Sequence, residues 1–62
     1  MESVLIIDDE ADIRDILAYN LKKEGFTVHT ASNGKDGIEM AHSTQPDIII
    51  FCLLYTSDAA DE

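Results

Sequence analysis

Val4-Leu5-Ile6-Ile7-Asp8-Asp9-Glu10 is the stretch on which the fold turns: four consecutive β-favouring apolar residues run straight into three carboxylates. A run of this length and branching suits a strand covered on both faces, as in a parallel sheet flanked by helices. The polar end of such a strand is where an open α/β sheet binds ligands. Acids gathered there repel one another and need a positive charge between them. A hard cation such as Mg²⁺, typically held by one or two carboxylates plus water, meets that need, and Asp8 and Asp9 are the candidate ligands. The same residues also suit a helix start, because Asp caps helices and acids are favourable in a first turn. Both readings stand at this point.

The 62 residues around this stretch allow one small domain, and a chain of that size buries only about 60% of the surface its unfolded form exposes. Thirteen acids against four bases give a formal charge of −9. That balance disfavours direct contact with a phosphate backbone or an anionic membrane and favours cations and basic partner surfaces. The single cysteine, Cys52, excludes an internal disulfide and a multi-cysteine metal centre. Glu2 stands where a signal peptide would be basic. The longest apolar run, Ile48 to Tyr55, is eight residues, against about 20 for a membrane span. The expectation is a cytoplasmic chain with no membrane contact.

Outward from the acidic tip, Ile13, Ile16, Leu17 and Leu21 recur at helical spacing, with Asp12, Arg14, Asp15, Lys22 and Lys23 mostly outside. A helix is predicted over 10–24, stopped at Gly25. Phe26 to Ala31 alternates and is β-branched, a second strand. Ser32-Asn33-Gly34 turns and caps a second helix over 34–42, weakened by Gly34 and Gly37. Residues 43–47 break it, because Pro46 cannot sit in a helix interior. Ile48-Ile49-Ile50-Phe51 opens a third buried strand. The β-α-β-α-β order demands parallel strands and right-handed crossovers. His29 and His42 have no ligand partner at a suitable spacing and read as solvent-facing or helix-flank residues.

These pieces together resemble the receiver domain of bacterial two-component response regulators. The resemblance rests on Val-Leu-Ile-Ile-Asp-Asp-Glu at 4–10, the helix from Ile13 to Gly25 with its Leu17-Ala18-Tyr19-Asn20-Leu21, the turn Ala31-Ser32-Asn33-Gly34, and Pro46-Asp47-Ile48-Ile49-Ile50. It covers about residues 3 to 51 and implies a flavodoxin-like doubly wound parallel α/β sheet, truncated to β1-α1-β2-α2-β3. It also implies Mg²⁺ on Asp8 and Asp9, a sensor histidine kinase as partner, and a phosphoryl group accepted on an aspartate at the end of the third strand. Such a module signals and is not an enzyme. The wording from Leu17 to Phe26 is most similar to regulators with a winged-helix output domain, so DNA contact is expected only through a C-terminal domain missing here.

The chain departs from that pattern where the phosphoacceptor belongs, since the residue after Phe51 is Cys52. Residues 52–62, Cys-Leu-Leu-Tyr-Thr-Ser-Asp-Ala-Ala-Asp-Glu, resemble the conceptual translation of a transposase sequencing adapter. The expected division is therefore 1–51, the N-terminal part of a receiver, and 52–62, a non-native tail. Three functions remain open: an inactive piece of a phosphorelay receiver, a pseudo-receiver that binds partners without phosphorylation, and a Mg²⁺-dependent α/β phosphatase using Asp8 and Glu10. The receiver wording of the first helix argues against the last.

Overall fold

The structure, a computed structural model, describes residues 2–52; the tail expected from sequence at 52–62 lies outside the described residues from residue 53 onward. Five elements follow in order: β1 (Ser3–Ile7), α1 (Ala11–Lys23), β2 (Thr27–Ala31), α2 (Gly34–Thr44) and β3 (Ile48–Phe51). The strands form one parallel sheet of order β2-β1-β3. This is the first part of a flavodoxin-like doubly wound fold. Right-handed crossovers that run first to one side of β1 and then to the other put α1 and α2 on opposite faces of the sheet.

The centre of that sheet is the Val4–Ile7 run, buried throughout. Leu5, Ile7 and Ala31 cluster with Met40 and Ala41 of α2; by strand alternation Val4 and Ile6 face the other way, toward α1. Burying one such side chain contributes about 1.5–3 kcal/mol. The start of β1 is tied to the start of β3. Ser3 N–H donates to Asp47 Oδ2 at 2.9 Å, and Asp47 N–H donates to the Ser3 carbonyl at 2.9 Å and to Ser3 Oγ at 3.3 Å.

Local signals set the helix boundaries, although α2 ends later than expected. At the end of α1, Gly25 takes φ +98° while Phe26 N–H reaches Leu21 O and Gly25 N–H reaches Lys22 O, which satisfies two last-turn carbonyls. At the start of α2, Asn33 Oδ1 accepts from Asp36 N–H at 2.8 Å and Asn33 Nδ2 donates to Asp36 Oδ2 at 3.2 Å. Helix α2 runs two residues past the expected end at 42. The hydroxyls of Ser43 and Thr44 turn back onto the Met40 carbonyl, and Gln45, not Pro46, ends the helix with φ 49°.

Two details of α1 differ from the sequence reading. Ile16 is 60% exposed, although it belongs to the apolar stripe with the half-buried Ile13, Leu17 and Leu21. Helix α1 meets only β1 and β2 among the described residues, so nothing reaches the far side of the stripe. Arg14, expected outside, is half-buried and bonded to the strand tip. Similarly, Ile48, Ile49 and Phe51 of the expected buried third strand are exposed, because β3 pairs with β1 alone among the described residues.

Candidate metal site at the strand tips

The acidic tip is built by β1 running out between its neighbours. Asp8 continues the strand for one residue, its N–H donating to Ala31 O at 3.1 Å. The chain then turns, with Glu10 as N-cap of α1, and Glu10 N–H donates to Asp8 Oδ1 at 2.9 Å. Arg14, one turn into α1, donates from Nη1 to the Asp8 carbonyl at 2.9 Å. Asp8 is fully buried, and among the described residues its Oδ2 has no hydrogen-bond partner. Asp9 is exposed.

The helix-start and metal readings of these acids are thus met by different atoms. Oδ1 of Asp8 serves the turn into α1, and Oδ2 is left over. A buried carboxylate oxygen without a partner is costly, and a cation is the partner that would relieve it. Mg²⁺ takes oxygen ligands, usually one or two carboxylates with several waters, so the Asp8–Asp9 pair suits it.

The third strand supplies no such ligand. The β1–β3 register pairs Ile7 with Phe51, and Cys52 N–H donates to Ile7 O at 2.8 Å. Cys52 therefore lies beside Asp8, at the strand end, as a half-buried free thiol. A soft thiol is a poor ligand for hard Mg²⁺. Among the described residues, no three His, Cys, Asp or Glu side chains gather as a metal site would require. The acid pair suits the ion, and the third corner, a thiol, does not. Glu10 is exposed and Asp12 lies in the first turn of α1. His29 is half-buried in β2 opposite Leu5, and His42 is exposed on α2. A cleft of about 550 Å³, lined by Arg14, Ser32, Asp36, Glu39 and Ser43 among others, is not lined by Asp8, Asp9 or Cys52.

With that geometry in place, the comparison with known families is direct: the family model described as "Response regulator receiver domain" matches residues 4–53. The chain belongs to the response regulator receiver family. The family works in phosphorelay signalling, and its domains are generally signalling modules rather than enzymes. Receivers generally bind Mg²⁺ and interact with histidine kinases. No helix among the described residues is long and apolar enough to cross a membrane. The receiver match reaches two residues into the stretch that sequence reading set apart as a tail.

Sequence reasoning named Asp8, Asp9 and the Cys52 position but missed Arg14. The available signal was its spacing: Arg14 lies four residues after Glu10, one helical turn into α1, where a side chain can reach back over the helix start.

Proposed function

We propose that this chain is the amino-terminal part of a phosphorelay receiver whose intact form accepts a phosphoryl group from a sensor histidine kinase to regulate transcription, and that this polypeptide cannot accept one. The observation that carries the reading is the place of Cys52: it is the residue at the end of β3, bonded through its N–H to the strand that ends in Asp8. A carboxylate there could act as nucleophile toward phosphorus with a cation neutralising the charge on the transferred group. Asp8 and Asp9 remain as half of a Mg²⁺ site, with affinity well below that of a site with three carboxylates. DNA would be reached only through an output domain outside these residues, and the reading involves no membrane contact.

The test is phosphotransfer from acetyl phosphate, or from a histidine kinase, to the 62-residue chain in the presence of Mg²⁺. No alkali- and hydroxylamine-labile acyl-phosphate label is expected, and label on the chain would overturn the reading. Turnover of a phosphomonoester would instead favour the phosphatase. The nucleotide sequence tests the proposed tail, since an adapter string beginning at the end of codon 51 is expected.

A phosphorylation-independent binding module is the second reading. It is favoured by the tip itself, where the Asp8 turn is built and bonded although the acceptor residue is a thiol. Retention of the chain on an immobilised kinase, without phosphate donor, would support it.

A further inference from the structure

We infer that Arg14 is a positioning residue for the acid pair, acting through the Asp8 carbonyl to hold the turn in which the free Asp8 oxygen and Asp9 face a cation together. The inference rests on the reading of Asp8 and Asp9 as half of a Mg²⁺ site.

Asp8 has four polar atoms, and three are occupied. Its N–H is taken by Ala31 O and its Oδ1 by Glu10 N–H, both main-chain partners that any sequence would provide. Its carbonyl is taken by a side chain, the Arg14 guanidinium, at 2.9 Å across six residues of sequence. That carbonyl belongs to the peptide plane joining Asp8 to Asp9, so its direction decides how Asp9 leaves the strand. The Arg14 main chain is set in the first turn of α1, its N–H donating to Glu10 O at 3.0 Å.

The choice of acceptor separates positioning from neutralisation. An arginine serving as counter-ion to Asp8 would take the carboxylate, in the two-pronged geometry that guanidinium favours. Arg14 takes the main-chain oxygen and leaves Oδ2 without a partner among the described residues. The guanidinium thus holds the main chain of the turn and does not take the carboxylate position where an ion would bind. Groups that orient metal ligands in this way are commonly worth about 10–100-fold in metal affinity.

The experiment uses the 62-residue chain carrying Cys52→Asp, which supplies a third carboxylate, with Mn²⁺ as the probe and free Mn²⁺ followed by electron paramagnetic resonance. Arg14→Ala is expected to weaken Mn²⁺ binding about tenfold. Arg14→Lys, which keeps a cationic donor, should recover most of it. Each variant is titrated where circular dichroism shows it folded, so a loss of structure is not read as a loss of affinity. Equal affinity with and without the Arg14 side chain overturns the inference and leaves the acid-pair reading intact, provided Asp8→Asn abolishes binding. Absence of Mn²⁺ binding in the Cys52→Asp chain overturns both.

Discussion

Gly37 of α2 lies against Ile7 of β1 with no room between them for a side chain: a Cβ on Gly37 would fall 2.5 Å from Ile7 Cδ1 and 2.8 Å from Ile7 Cγ1. Ile7 is buried, so it cannot swing into solvent to make way. Gly37→Ala gains up to about 1 kcal/mol of helix propensity and loses about 1–3 kcal/mol to overpacking. A net loss of about 1 kcal/mol is expected, read as a lower urea midpoint at low micromolar concentration. Ile7→Val removes the clashing Cδ1 methyl, so the double variant should lose less than the sum of the two single losses. Additive losses would show that the contact is not the cause.

Gly37 also marks how far the sequence could be read. All five elements follow from local pattern, and the ends of α1 agree to one residue, with Gly25 the recognisable stop signal. The acid pair is legible for the same reason, as charge placed directly at the end of an apolar run. Gly37 read as a weak point in a helix, whereas its role is close approach between two elements, which no local pattern records. Ile16 was misplaced because a helical stripe says which face is apolar and not how much of it will be covered. Arg14 looked like an outward-facing charge until the turn brought the Asp8 carbonyl to it.

Gln45 ends α2 in the left-handed region, φ 49° and ψ 63°, where a Cβ is strained. Glycine is the usual occupant of that conformation. Gln45→Gly is expected to raise stability by about 0.5–1 kcal/mol, measured as a shift in thermal midpoint. A fall in the midpoint would mean that the Gln45 side chain contributes more than its backbone costs.

Asp8→Asn keeps an oxygen to accept from Glu10 N–H and removes the charge from the buried, unpartnered side of the group. Without divalent cation the variant should be more stable than the parent by about 1 kcal/mol. Addition of Mg²⁺ should narrow that difference, because only the parent binds it. The check is paired thermal melts with and without the ion, and an Asp8→Asn chain less stable in both would refute the account.

Strand β3 presents Ile49 and Phe51 at 50% and 58% exposure on an edge that pairs with nothing further among the described residues. Exposed apolar edges associate. Sedimentation of the chain should show concentration-dependent oligomers despite the −9 charge. Ile49→Lys, which places a charge on that edge, should shift it toward monomer. A parent chain that stays monomeric at high concentration would contradict the prediction.

The hydrogen bonds between Ser3 and Asp47 join residues 44 positions apart, and that separation sets a clock. On a ribosome adding about 5–20 residues per second, the partner of Ser3 is not made until about 2–9 seconds after Ser3 itself. Throughout that interval the most deeply buried strand of the sheet exists with one of its two neighbours still unsynthesised. The sheet can close on both sides of Val4–Ile7 only after its last strand is made, so the order in which the strands are born fixes when the core strand gains its second neighbour.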